Sequence, residues 1–140
     1  MMTPAILAAL TGRSLEAVVI GASAGGVAAL LRLLPGLPAD FGCAIVVVMH
    51  VPEGRQSNLA EVFRQRMQLP VREARDKEEI SSGTLYFAGS GYHLSVECDR
   101  SFSLSGEDRV NFSRPAIDYL MESAADVYGP ALLGILLTGA

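Results

Sequence analysis

The chain has 140 residues, a length that points to one domain. Half of the residues are hydrophobic, which supplies a core and excludes a generally disordered chain. With 15 acidic residues against 11 basic and a formal net charge of -4, it lacks the basic stripe that neutralises phosphates, so nucleic-acid binding is not expected.

In chain order, residues 1–15 read as a lead-in punctuated by Pro4 and Gly12, and the domain is expected over 16–140. The apolar stretch from Ala5 to Leu10 has no basic segment before it, so a signal peptide is not expected. Glu16 to Ile20 reads as a buried strand closed by Gly21. A helix should follow from Gly25 or Gly26, with Val27, Leu30, Leu31 and Leu34 at helical spacing, ended by Pro35 and Pro38. Cys43 to Met49 is apolar throughout and rich in β-branched residues, as expected of a parallel strand covered on both faces. It is also the longest apolar run, far short of the roughly 20 residues of a membrane span, so membrane insertion is not expected.

After His50, Val51 and Pro52, a second helix is expected with Leu59, Val62, Phe63 and Met67 on one face. Val71 to Arg75, Leu85 to Ala88, His93 to Val96 and Phe102 to Leu104 are short segments separated by turn signals. They suggest an antiparallel meander inserted into an α/β frame. A third helix should begin near Pro115 and bury Ile117, Leu120, Met121, Ala124 and Ala125. Gly129-Pro130 stops it. Ala131 to Leu137 reads as one more strand, with no helix after it to cover it.

Cys43 and Cys98 form no CxxC pair, and with only two histidines neither a metal site nor a disulfide framework is expected. A reduced, cytoplasmic protein is the expectation. No cofactor is expected either.

The first βα turn reads Gly21-Ala22-Ser23-Ala24-Gly25-Gly26. As a dinucleotide fingerprint it is poor, since Ser23 stands where the second glycine should let the backbone approach a pyrophosphate. Met49 and His50 also occupy the place of the ribose-binding acid. As G-x-S-x-G it is a nucleophile elbow, in which small neighbours permit a sharp turn that presents the Ser23 hydroxyl. The backbone N–H of Ala24 would then be the leading oxyanion donor. A glycine-rich helix start with Ser23 as a plain N-cap competes with that reading.

His50 follows the second strand and so emerges at the same carboxyl edge of the sheet as Ser23, which makes it a candidate general base. His93 is assigned a structural or rim role, and Tyr92 could pack beneath the site. No third acid is evident. Thr138-Gly139-Ala140 holds no carboxylate, Asp118 fits a helix cap, and Glu53, Asp76, Glu78 and Glu79 read as solvated loop charges.

Several ordered blocks now share a pattern: Ile20 to Gly26, Val48-Met49-His50-Val51-Pro52, Leu85-Tyr86-Phe87-Ala88 with Tyr92-His93-Leu94, Ser113-Arg114-Pro115-Ala116-Ile117-Asp118, and Tyr128-Gly129-Pro130 leading to Leu137-Thr138-Gly139. Together they resemble the catalytic domain of the chemotaxis protein-glutamate methylesterase (CheB) family, from about Val18 to Ala140. The resemblance implies a doubly wound, mostly parallel, Rossmann-like three-layer α/β fold with an inserted antiparallel hairpin or meander. It implies hydrolysis of γ-glutamyl methyl esters on the cytoplasmic helices of methyl-accepting chemoreceptors, with release of methanol, and also glutamine deamidation. Ser23 matches the family's nucleophile and His50 its base.

The family's aspartate lies beyond the Leu-Thr-Gly block, past Ala140, so the third acid is expected to be absent from this chain and its activity weak or nil. The first 15 residues leave no room for a receiver domain. A non-catalytic CheB-like binding or signalling module is the alternative, which an unreactive Ser23 would favour.

Overall fold

The computed structural model describes residues 14–50, 59–89, 91–106 and 117–137, apart from the side chains of Ala24 and His50. The expected lead-in therefore lies almost wholly outside the described residues. So do Glu53 and the blocks at 51–52, 113–116 and 138–140.

Five strands form one parallel sheet: β1 (Ala17–Ser23), β2 (Ala44–His50), β3 (Val71–Glu73), β4 (Leu85–Phe87) and β7 (Leu132–Leu137), in the order β3-β4-β2-β1-β7. Between β4 and β7 the chain inserts an antiparallel hairpin of β5 (His93–Val96) and β6 (Phe102–Ser105). Helices α1 (Val27–Leu33), α2 (Leu59–Arg64) and α3 (Ile117–Tyr128), with short 3₁₀ turns at Ala24–Gly26, Leu34–Gly36 and Gly129–Ala131, complete the described elements. The doubly wound α/β architecture expected from the sequence is present.

The period-2 alternation of a strand explains the two cores. Val18, Ile20 and Ala22 of β1, with Ile45, Val47 and Met49 of β2, bury against Leu30 of α1 and Phe63 of α2. Ala17 and Val19, with Val46 and Val48, bury on the opposite face against Leu120, Ala124 and Tyr128 of α3 and Leu94, Val96 and Phe102 of the hairpin. A strand buried on both faces must be apolar at every position, and for that reason Cys43 to Met49 shows no alternation in sequence. The hairpin is locked to α3 by Ser123, whose hydroxyl accepts from the Val96 N–H at 2.9 Å and donates to the Leu120 carbonyl at 3.0 Å.

Four expectations need correction. β1 does not close at Gly21 but runs on to Ser23, because parallel pairing with β2 continues through Ser23 opposite His50. Val71–Glu73 and Leu85–Phe87 belong to the parallel sheet rather than to the meander, with β4 pairing in parallel to both β2 and β3. Among the described residues, only the β5–β6 pair is an antiparallel ladder. In α2, Phe63 is buried, but Val62 is 43% exposed and Met67 lies beyond the helix end, packing on the core from outside it. In α3, Leu120 and Ala124 are buried while Ala125 is exposed.

β7 lies at one edge of the sheet. Leu133, Ile135 and Leu137 pack on the α1 side, whereas Leu136, opposite Gly21, is 66% exposed. On the same side as Leu136, Leu132 packs on the α3 core and a Cβ on Gly134 would lie 3.3 Å from Met121 Sδ, so α3 reaches this face and leaves Leu136 open.

Candidate active site

All five strands of a parallel sheet end at one edge, and in such folds that edge is where ligands meet the loops. Ser23 is the last residue of β1 and His50 the last of β2, and the parallel register places them directly opposite one another. Neighbouring strands lie about 4.8 Å apart, so the backbones of the two residues are close cross-strand neighbours. Ser23 is half-buried. The structure therefore brings together the two residues picked out from the sequence, at the level of backbone position.

The turn after Ser23 is a 3₁₀ turn, Ala24–Gly26, leading into α1. The cap position of α1 itself falls on Gly26, while Ser23 stands directly before the 3₁₀ turn that leads into it. Two close approaches explain why the turn is built of small residues. A Cβ on Gly26 would meet the Ala22 Cβ at 2.9 Å and lie 3.6 Å from the Leu137 Cβ. A Cβ on Gly21 would meet Ile117 Cγ2 at 2.5 Å, below any real contact. Gly21 is thus not the strand terminator it resembles in sequence; it is the space that receives the first residue of α3.

The remaining candidates sort by burial. His93 is fully buried and stacks on Tyr119 of α3, with ring centroids 4.6 Å apart and planes within 16°, in keeping with the structural role expected of it. Tyr92 does not pack beneath the site, being 55% exposed next to Gly91, whose φ of 92° only glycine adopts freely. Asp118 stands exposed in the first turn of α3, where a carboxylate complements the helix dipole.

Two of the supposed loop charges hold structure instead. Asp76 accepts from the Leu104 N–H at 2.9 Å, and Glu78 accepts from the Arg75 N–H at 3.1 Å while pairing with Arg72 at the same distance. Among the described residues no group of three or more His, Cys, Asp or Glu side chains is gathered as a metal site would need. None of the described helices is long and apolar enough to cross a membrane.

A second polar group lies at the opposite edge, and sequence reasoning missed it. Arg100 pairs with Glu16 at 2.8 Å and lies over the Tyr128 ring at 4.9 Å from its centroid. The three residues are far apart in sequence, so no local signal could have joined them.

Residues 18–140 match the family model described as CheB methylesterase. A Leptospira interrogans protein, provisionally named as a protein-glutamate methylesterase/protein-glutamine glutaminase, is 46% identical over 125 residues, which make up 89% of this chain and 65% of that protein. The protein-glutamate methylesterase/protein-glutamine glutaminase of Thermotoga maritima is 38% identical over 87% of this chain and 36% of its own length. The crystal structure of the Thermotoga maritima CheB methylesterase catalytic domain superposes with a TM-score of 0.83 at 37% identity, covering 90% of this chain and 68% of that one. The chain thus spans about 65% of the Leptospira relative and about a third of the Thermotoga protein.

Proposed function

The chain belongs to the CheB methylesterase family, and on that premise we propose that it carries the serine–histidine half of a protein-glutamate methylesterase. The carrying observation is the register of β1 on β2, with Ser23 opposite His50 at the carboxyl edge of the sheet. In this reading Ser23 Oγ attacks the carbonyl carbon of a γ-glutamyl methyl ester as the His50 imidazole takes the hydroxyl proton. The carbonyl oxygen becomes an oxyanion, and the Ala24 N–H at the start of the 3₁₀ turn donates to it. Collapse of the tetrahedral intermediate breaks the C–O bond, and His50 returns the proton to the departing methanol. A water activated by His50 then releases the glutamate and frees Ser23. The same steps on a glutamine side chain expel ammonia, the second activity in the names of the relatives.

The proposed substrate is a methylated glutamate on the cytoplasmic helices of a chemoreceptor, which places the protein in the cytoplasm. The family resemblance puts the acid that would orient His50 beyond the Leu137-Thr138-Gly139 block. Disabling such an acid in a serine protease costs on the order of 10⁴ in rate.

The test is methanol release from methylated receptor by this chain, by its Ser23→Ala variant, and by a chimera carrying the carboxyl-terminal third of the Leptospira relative. Serine-dependent release by the chimera, well above that of the chain alone, is expected. A folded chimera that releases no methanol overturns the esterase reading and leaves a binding module.

A further inference from the structure

We propose that Ile117, the first residue of α3, is a positioning residue for Ser23, acting through the space left open at Gly21. This inference rests on the reading of Ser23 as the nucleophile. Strand alternation puts Gly21 and Ser23 on the same face of β1, the face covered by α3, and makes them successive positions on it. At Gly21 the strand is paired on both sides, with Val48 of β2 and Leu136 of β7. At Ser23 the parallel pairing with β2 continues, opposite His50. Beyond the strand pairing, each layer packs closely on this end of β1.

On the α1 face, Gly26 closes down on Ala22. On the α3 face, Ile117 Cγ2 would lie 2.5 Å from a Cβ on Gly21, with Cγ1 and Cδ1 each at 3.2 Å. Three carbons of one side chain thus occupy the volume that any other residue at position 21 would fill. Cγ2 is bonded directly to Cβ, so it leaves this position only if χ1 turns and carries Cγ1 and Cδ1 with it.

The helix that carries Ile117 is itself held. Two residues further on, Tyr119 stacks on the buried His93, and six residues on, Ser123 bonds the hairpin. The chain of contact runs from hairpin to α3, from Ile117 to Gly21, and from there along two residues of strand to the hydroxyl.

The experiment measures the second-order rate of Ser23 labelling by a fluorophosphonate, well below the melting temperature of each variant. It is paired with amide hydrogen exchange across residues 20–26. Ile117→Val keeps Cγ1 and Cγ2 and should label within about twofold of wild type, whereas Ile117→Ala should label about tenfold more slowly, short of the ~10² attributed to a 1 Å misplacement. Exchange across 20–26 should quicken in Ile117→Ala while that of residues 27–33 holds.

Gly21→Ala alone should be at least as damaging as Ile117→Ala. The double variant Gly21→Ala with Ile117→Ala refills the space and should recover labelling to within about threefold, the non-additivity expected of residues in contact. A folded Ile117→Ala chain with wild-type labelling and exchange overturns the inference and leaves Ile117 a packing residue. If neither the wild-type chain nor the folded chimera with the carboxyl-terminal third of the Leptospira relative labels, the nucleophile reading is overturned, and the positioning of the strand end then stands or falls on the exchange result alone.

Discussion

The two ends of β1 are held by opposite means. Just before its first residue, Glu16 pairs with Arg100, and Arg100 covers the ring of Tyr128, so charge and aromatic surface tie strand, hairpin and helix together. At its last residues there are almost no side chains: Gly21, Ala22 and Gly26 let Ile117 and Leu137 approach the backbone. By its polar groups alone the first end looks more like a site. Yet the candidate nucleophile stands at the second, because an elbow that presents a hydroxyl beside a free backbone N–H needs close approach of backbone and no crowd of side chains. Polar residues gathered at the edge away from the strand carboxyl ends stabilise a fold; small ones at the other edge make room for chemistry.

Substitutions at each end sharpen or break this contrast. Tyr128→Ala empties a buried aromatic position and should cost about 3 kcal/mol of stability by urea denaturation, with Ser23 labelling unchanged below the transition. A labelling loss in that variant would show that the amino end reaches the site. Gly26→Ala should slow Ser23 labelling about tenfold while moving the urea midpoint far less than Tyr128→Ala. Adding Ala22→Gly, which removes the methyl 2.9 Å from the new Cβ, should restore most of the rate.

Arg100→Ala removes an exposed ion pair and should lower the melting temperature by only about 2 °C, with labelling again unchanged. The smallest effect is on pH. Burial, with the Glu16 charge adding to it, pushes the Cys43 thiol above its ordinary 9.0, and burial pushes the Tyr128 phenol above 10.0. Raised values in the folded state mean that it holds these protons more tightly than the unfolded chain. Their stabilising contribution is complete below the ordinary values and is lost as pH rises past them. The urea midpoint should therefore fall above pH 9, and Cys43→Ala with Tyr128→Phe should flatten that fall.

What was legible in the sequence was whatever a strand or helix declares locally. Cys43 to Met49 announced a doubly covered strand, and Ser23 and His50 could be placed at one edge because each follows an apolar run. The turn of small residues could be read as a sharp elbow, but not as room for another element. Ile117 lies nearly a hundred residues on, and only folding brings it over Gly21. Val71 to Glu73 and Leu85 to Phe87 are three residues each, too short to reveal whether a partner runs parallel or antiparallel. Val62 and Ala125 sit beside true core positions on their helices, where hydrophobicity alone does not distinguish the buried from the flanking residue.

The edge strand β7 sets how this molecule must be handled. Leu132–Leu137 reads Leu-Leu-Gly-Ile-Leu-Leu, uncharged and free of proline, and has no described strand on its outer side. Natural edges are guarded by lysine, proline or a bulge, and this strand has neither lysine nor proline to stop a further chain from adding to the sheet. Ile135 is the one β-branched residue of the six, and Gly134 interrupts the run, so the hazard is edge-to-edge addition rather than a stacked cross-β core. At high concentration, pairing of a second chain at β7 is the failure to watch for, and a lysine in place of the exposed Leu136 is the gatekeeper that would discourage it.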